Sequence, residues 1–171
     1  VLFRSFNLSA NGYSSGQEIT QSYNWGTRAS ASQIKETHKI RLSVNYNKNI
    51  NRYKYMGSDL TYRLGSLNCN ALFTKSISDH WSWGTYHYYV QSDYDNYKSA
   101  INSNLAVEYN LFPYKDSQTK QLTFSTYLGG AYNIYKQTTL YLKDKEFRPT
   151  GSANVQANFN QDWGSVSIGL S

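Results

Sequence analysis

The stretch INSNLAVEYNL, residues 101–111, decides the fold class because apolar and polar side chains alternate along it. Ile101 and Leu105 represent the apolar positions, and Asn102 and Asn104 represent the polar positions between them. Successive side chains of a β-strand point to opposite faces of the sheet. The stretch therefore predicts a strand with one apolar face and one polar face.

The same period of two recurs on both sides of this stretch, while no comparable stripe has the helical period of 3.6. It is found in residues 2–10, 17–33, 39–53, 66–74, 121–137, 153–160 and 165–171. Residues 81–90 carry aromatic side chains at both alternating positions, and Tyr and Trp favour pleated surfaces, so a strand is predicted there without assigned faces. The chain is predicted to be all-β.

Clusters of turn-forming residues divide the chain into about nine long strands. The clusters lie at Gly12–Gly16, Lys35–Thr37, Tyr55–Ser58, Ser78–His80, Asp93–Lys98, Pro113–Thr119, Thr138–Pro149 and Gln161–Asp162. Connections after the second, fourth and eighth strands are short, and most others are longer. An antiparallel up-and-down meander with one short-turn end and one long-loop end is typical of a transmembrane β-barrel.

The odd strand number has a consequence for domain organisation. Bacterial single-chain barrels have even strand numbers, and here the first and last strands start and stop in mid-pattern. Residues 1–171 are therefore predicted to be a single β-barrel domain that is an incomplete fragment of a larger barrel.

Composition excludes several other classes of protein. The single cysteine, Cys69, cannot form an internal disulfide, which excludes a disulfide-stapled scaffold. The aromatic share of 16% argues against a disordered chain, and no stretch approaches the ~20 apolar residues of a membrane helix. The net charge of +6 favours an anionic partner, but the basic residues are scattered, and no nucleic-acid partner is predicted.

Two architectures fit the alternation: a soluble β-sandwich, as in a carbohydrate-binding module, and a membrane barrel. The barrel is favoured because the strands reach the ~9–11 residues that cross a bilayer and because the polar face is built from small polar residues. Aromatic residues near strand ends also match the girdles at the membrane interfaces. These interface aromatics are Tyr46, Tyr53, Tyr55, Trp81, Tyr94, Tyr97, Phe112, Tyr114, Tyr135 and Trp163.

Four stretches carry a resemblance to a known family. They are DHWSWG at residues 79–84, EYNLFPY at 108–114, KQLTF at 120–124 and WGSVS at 163–167. They resemble stretches of Gram-negative outer-membrane β-barrels of the "salt-induced outer membrane protein" kind, a family of unknown function. The resemblance implies a barrel in the cell outer membrane, and it supplies no catalytic or ligand-binding residues.

Signals for chemistry are weak. The three histidines, His38, His80 and His87, form no pair with metal-ligand spacing, and Cys69 has no CxxC partner. A lipid-modifying outer-membrane enzyme remains an alternative, with His87 and either Asp93 or Glu108 as its candidates. The sequence predicts no catalytic residues, no metal and no cofactor. The predicted function is an outer-membrane barrel acting as a narrow channel or as a membrane scaffold with functional surface loops.

The positive charge suggests a lipid partner. If short turns are periplasmic, seven basic residues lie at or beyond the extracellular rim, where lipopolysaccharide phosphates could pair with them. These predicted headgroup contacts are Arg52, Lys54, Lys98, Lys136, Lys143, Lys145 and Arg148. The alternative is that these charges serve solubility alone, since exposed pairs contribute only ~0–1 kcal/mol each.

Overall fold

The computed structural model describes residues 5–35, 37–55 and 57–171, with only the backbone of Tyr55. Residues 2–4 of the first predicted strand lie outside the described residues. The same holds for residue 36 in the predicted turn Lys35–Thr37 and residue 56 in the predicted turn Tyr55–Ser58. The side chain of Tyr55, one of the interface aromatics, is also outside the description.

Nine β-strands make up most of the described chain. They are β1 (Ser5–Gln17), β2 (Thr20–Ile34), β3 (His38–Tyr55), β4 (Ser58–Ser76), β5 (Trp81–Ser92), β6 (Tyr97–Asn110), β7 (Lys120–Tyr135), β8 (Lys145–Gln161) and β9 (Gly164–Leu170). A single-turn 3-10 helix, Tyr114–Asp116, lies between β6 and β7. Within the described ranges, no helix has the length and apolar character needed to cross a membrane.

The strands form one antiparallel sheet in which each strand pairs with its neighbours in sequence, in the order β1 to β9. The predicted up-and-down meander of nine strands is therefore confirmed. The two facing sheets of the sandwich alternative are not found, because the described part of the chain contains a single sheet.

The register sorts the side chains onto two faces, because residues directly opposite each other in an antiparallel ladder point to the same side. Leu105 of β6 opposes Thr85 of β5 and Leu128 of β7. The face that carries Leu105, the apolar face, also holds Leu8, Ala29, Val44, Cys69, Tyr89, Ile101, Leu128, Val155 and Ile168. The polar face holds Asn102, Asn104, Glu108, Asn154, Gln156 and Asn158, as the alternation predicted.

Strand β5 has aromatic residues on both faces. Trp83 opposes Val107 on the apolar face, and Tyr89 opposes Ile101 there. Tyr88 opposes Asn70 and Asn102 on the polar face. The faces that the sequence left open are thereby assigned.

Burial on the two faces is inverted relative to a sheet folded in water. Leu105 is 60% exposed and Leu128 is 65% exposed on the apolar face. On the polar face, Asn110 is 0% exposed and Asn133 is 3% exposed. In β6 and β7, the buried side chains therefore lie on the polar face, while most aliphatic side chains of the apolar face are exposed.

The polar face is concave. Ser5 of β1 and Tyr86 of β5 line the same cleft of about 390 Å³, although β2, β3 and β4 lie between β1 and β5. Lys39 of β3 and Glu108 of β6 likewise attract each other across β4 and β5. Strands lie ~4.8 Å apart in a sheet, so the shared cleft and the interaction of these two charges indicate that the sheet curls around its polar face.

Two of the predicted boundaries were wrong. Gly12–Gly16 is not a turn: it lies within β1, and the chain reverses at Glu18 and Ile19. Low strand propensity at these glycines and serines is outweighed there by an unbroken ladder with β2. Thr138–Pro149 is not one loop, because β8 begins at Lys145.

The predicted difference between the two ends of the meander was also wrong. β1 and β2 are joined through Glu18 and Ile19 alone, at the end expected to hold long loops. The connections 111–119 and 136–144 have equal length and lie at opposite ends. Loop length therefore gives no basis for the predicted periplasmic and extracellular ends.

Candidate functional site

The concave polar face is the candidate functional site, and tyrosine–asparagine pairs line its centre. The Tyr86 hydroxyl donates to Oδ1 of Asn70 at 2.8 Å, and the Tyr88 hydroxyl donates to Oδ1 of Asn68 at 2.7 Å. Each pair joins diagonal neighbours on β4 and β5, since Tyr88 directly opposes Asn70. These contacts fix the phenol rings against the strands and leave a surface of amides and hydroxyls.

A second polar cluster crosses β7 at a glycine. Asn104 of β6, Gly129 of β7 and Thr150 of β8 lie in one row of the register. The Thr150 hydroxyl donates to Oδ1 of Asn104 at 2.8 Å, and Nδ2 of Asn104 donates to Oδ1 of Asn102 at 2.6 Å. A Cβ atom at Gly129 would lie 2.0 Å from the carbonyl oxygen of Ser103, so the close approach requires glycine.

The connection 111–119 folds back onto one end of the polar face. The Tyr114 hydroxyl donates to Oε1 of Glu108 at 3.3 Å, and burial raises the pKa of that hydroxyl. The Tyr114 backbone N–H donates to the carbonyl oxygen of Asp79 at 3.0 Å. We name this segment, residues 111–119, the β6–β7 cap.

Beneath the cap lies the most deeply buried polar pair. The Thr123 hydroxyl donates to Oδ1 of Asn110 at 2.7 Å. His80 Nδ1 lies 2.8 Å from the carbonyl oxygen of Asn110, and the Asn110 backbone N–H donates to the carbonyl oxygen of His80 at 2.7 Å. His80 thus joins the β4–β5 connection to the last residue of β6.

Charge on the polar face is predominantly basic. The charged residues that the register places there are Arg28, Lys39, Arg41, Arg148, Glu108 and Glu146. Nε of Arg28 donates to Oδ1 of Asn45, and Arg41 lines the cleft shared by β1 to β5. The face can therefore hold water and attract anions, while its amides and hydroxyls can bind neutral polar solutes.

The residues weighed for an enzyme are not brought together. His87 lies on the apolar face, where its Nδ1 is 3.0 Å from Oγ of Ser103. Glu108 lies on the opposite face. Asp93 lies beyond the end of β5, six positions along the chain from His87. Among the described residues, no three His, Cys, Asp or Glu side chains form a group that could hold a metal ion.

The seven predicted headgroup residues fall into different environments. Arg52, Lys54 and Lys145 belong to the apolar-face side of their strands, and Lys98 lies where the β6–β7 register shifts. Lys136 is paired with Asp93. Nζ of Lys143 lies 2.9 Å from Oε2 of Glu146, while Arg148 projects from the polar face. The seven residues therefore do not all lie on one face of the sheet.

The predicted interface aromatics are likewise divided. Trp81, Tyr94, Phe112, Tyr114 and Trp163 lie at strand ends or in connections, with Tyr94 and Trp163 among the exposed residues. Tyr46 lies in the middle of β3, not at its end. Tyr53, Tyr97 and Tyr135 lie on the polar side of the sheet. The ring centroids of Tyr97 and Tyr135 are 5.7 Å apart in a stacked arrangement.

Sequence reasoning missed Tyr86, Tyr88 and Asn70 as site residues, and it missed the folding back of Tyr114. The aromatic residues of β5 alternate between two sets of positions. Once the pairing with β4 and β6 is known, one set, which includes Tyr86 and Tyr88, can be assigned to the polar face. No local pattern marks Tyr114 as covering the polar face.

Comparisons with protein-family models, with curated proteins and with solved structures gave no match.

Proposed function

We propose that this chain forms part of the wall of a transmembrane β-barrel in a Gram-negative outer membrane, related to the salt-induced outer membrane proteins. In this proposal the apolar face contacts lipid and the concave polar face lines a narrow, water-filled lumen. The observation that carries it is the inverted burial: Leu105, Leu128 and Ile168 are exposed, whereas Asn110 and Asn133 are buried.

Physical chemistry supports this assignment over a water-soluble role. Burying apolar surface stabilises a protein by about 25 cal/mol per Å², and soluble proteins rarely expose large contiguous apolar patches. Here the apolar face runs across all nine strands, from Leu8 in β1 to Leu170 in β9. A bilayer covers such a face, while water or ions occupy the opposite one.

The lumen function that fits this geometry best is a narrow channel. Barrels with few strands are largely filled by side chains, and the phenol rings of Tyr86 and Tyr88 lie on the polar face. The β6–β7 cap folds over one end of the same face. A membrane scaffold with functional surface loops is the other role that the same wall would serve.

Cysteine scanning tests the membrane assignment. With Cys69 replaced by Ser, single cysteines at Leu105 and Ile168 should be shielded from a water-soluble maleimide after reconstitution into vesicles. Cysteines at the matched polar-face positions Asn104 and Asn158 should react. Equal reactivity of the two pairs would rule out lipid on one face and water on the other.

A further inference from the structure

Three basic residues surround Ile50 on the apolar-face side of β3 and β4, toward the β3–β4 turn. Lys48 and Arg52 continue the row of Leu42 and Val44 in β3, and Arg63 lies on the same side of β4. We name Lys48, Arg52 and Arg63 the outward basic cluster. It was not visible as a unit in the sequence, because Arg63 belongs to a different strand.

The register places these three charges close together. Lys48 opposes Gly65, Ile50 opposes Arg63, and Arg52 opposes Thr61. Arg63 is therefore the diagonal neighbour of both Lys48 and Arg52, at the ~7–8 Å spacing of diagonal pairs. Neither strand carries a register shift here, so the spacing is fixed by an unbroken ladder.

Among the described residues, no carboxylate lies within 4 Å of these three side chains. Asp59 lies on the same side of β4, directly opposite Lys54 and diagonal to Arg52. Asp93, which attracts Lys48, already accepts hydrogen bonds from Lys136 and from the backbone N–H of Gly65. Like charges at neighbouring positions are destabilising in a sheet. A bound anion would remove that repulsion.

The position of the cluster identifies the kind of anion. Trp25 opposes Lys48, and Tyr46 lies two residues before it, so aromatic rings border the cluster on the side of the apolar face. The Arg52 guanidinium carbon lies 5.7 Å from the centroid of the Tyr23 ring, which orients this side chain. A lipid whose acyl chains cover the apolar face would place its headgroup at these cations.

We propose that the outward basic cluster binds the phosphates of a multiply phosphorylated lipid, such as the lipid portion of lipopolysaccharide. Guanidinium groups bind phosphate through two parallel hydrogen bonds, and Lys48 contributes a point charge. Two or more phosphates on one headgroup match three cations spread over two strands. This inference rests on the proposed membrane function and assigns the β3–β4 turn to the leaflet that contains this lipid.

The test compares the full chain with the variant K48Q/R52Q/R63Q in three kinds of vesicle. The vesicles contain phosphatidylcholine alone, phosphatidylcholine with phosphatidylglycerol, or phosphatidylcholine with lipopolysaccharide at equal total phosphate. A further sample of the phosphatidylcholine vesicles receives inorganic phosphate in solution. We expect lipopolysaccharide to raise the Tm of the unchanged chain by about 4 °C over phosphatidylcholine. Phosphatidylglycerol should raise the Tm by less than half as much. The triple variant should show no rise in Tm with lipopolysaccharide.

The matched control is R28Q/R41Q, which removes two arginines from the polar face of β2 and β3. It should keep the rise produced by lipopolysaccharide. A triple variant that keeps the rise, or a control that loses as much, would overturn the proposed site. An equal rise with phosphatidylglycerol would overturn the requirement for several phosphates, and an equal rise with inorganic phosphate in solution would overturn the lipid as its source.

The same vesicles separate this inference from the function on which it rests. Insertion is measured by protection of the strands from protease. A chain that is digested in every vesicle refutes the membrane function itself. A protected chain whose Tm does not respond to lipopolysaccharide refutes only the headgroup site.

Discussion

At the scale of single residues, Gly129 is the position where the sheet leaves least room. Asn104 and Thr150 meet across it, and its missing Cβ atom would lie 2.0 Å from the carbonyl oxygen of Ser103. A neighbouring backbone cannot yield as a flexible side chain can. The adjacent Gly130 differs, since its Cβ atom would meet the ring of Phe147 at 2.5 Å on the other face.

We expect Gly129→Ala to lower the free energy of unfolding by about 1–3 kcal/mol, the usual cost of overpacking. Gly169→Ala is the matched control on the same face, because no described atom lies within 4 Å of the position that its added methyl group would take. Urea unfolding followed by tryptophan fluorescence measures both. A change at Gly169 as large as that at Gly129 would contradict the crowding assigned to β7.

Asp93 gives a residue-scale prediction about pH. Hydrogen bonds from Lys136 and from the backbone N–H of Gly65 hold the pKa of the Asp93 carboxyl below its ordinary value. Its stabilising contribution is therefore present above the ordinary pKa of ~3.9 and is lost as the pH falls through the lower folded-state pKa. Partial exposure of Asp93 and Lys136 limits this contribution to about 1 kcal/mol.

Asp93→Asn should accordingly lower the unfolding free energy at pH 7 and make no difference at a pH below the folded-state pKa. Denaturant titrations of both proteins at several pH values measure this convergence. Lys98→Gln serves as a control at the same end of the sheet. A constant difference at all pH values would show that Asp93 acts through packing and not through its charge.

At the scale of elements, the β6–β7 cap links the stability of the sheet to the proposed passage through a lumen. Tyr114 reaches Glu108 on the polar face, while its backbone is tied to Asp79. Tyr114→Phe removes one hydroxyl and should cost about 0.5–1.5 kcal/mol of stability with conductance unchanged. Tyr114→Ala removes the ring and should raise single-channel conductance in planar bilayers.

The control for the cap is Trp163→Ala in the β8–β9 connection, an exposed aromatic at the same end of the meander. It should leave conductance unchanged. Equal conductance of Tyr114→Ala and the unchanged chain would show that the cap does not restrict the lumen.

The elements also show what sequence patterns can and cannot predict. The alternation of apolar and polar residues predicts the strands, their number and the two faces of β6. Leu105 and Asn104 are adjacent in sequence, so their side chains must point to opposite faces of the sheet. The turn at Glu18 and Ile19 was missed, because the stronger local turn signal at Gly12–Gly16 is overridden by pairing with β2. This pairing depends on the partner strand, so the sequence of residues 12–16 alone does not reveal it.

The same limit applies to the candidate site. The amides of the polar face were predicted from their alternate positions, as Asn102 and Asn104 illustrate. Tyr86 and Tyr88 could not be assigned without the register of β4, and the contact of Tyr114 with Glu108 depends on how a loop folds back. Face membership is local information, whereas contacts across several strands arise from the curvature of the sheet.

At the scale of the whole molecule, the basic excess on the polar face predicts ion preference. Arg28, Lys39 and Arg41 lie on adjacent strands, with Glu108 on the opposing part of the curved wall. Basic residues lining a pore favour anions. We expect the reversal potential of the reconstituted chain under a salt gradient to indicate anion preference, and R28Q/K39Q/R41Q to shift it toward cations.

The outward basic cluster provides the matched control for this measurement, because it carries the same number of cations on the other face of β3 and β4. Its triple glutamine variant should leave the reversal potential unchanged. Cation preference in the unchanged chain would contradict the assignment of the polar face to the lumen wall.

The order of the sheet has a further consequence for how the molecule is made. Each ladder joins strands that follow one another in sequence. Every pair of strands can therefore form its hydrogen bonds one after another, starting at the turn that connects the two strands. The entropy lost on closing a loop grows with loop length, and chains with mainly local contacts fold faster than those with distant ones. We therefore expect the sheet to assemble hairpin by hairpin, with 111–119 and 136–144 as its slowest closures because they are the longest connections.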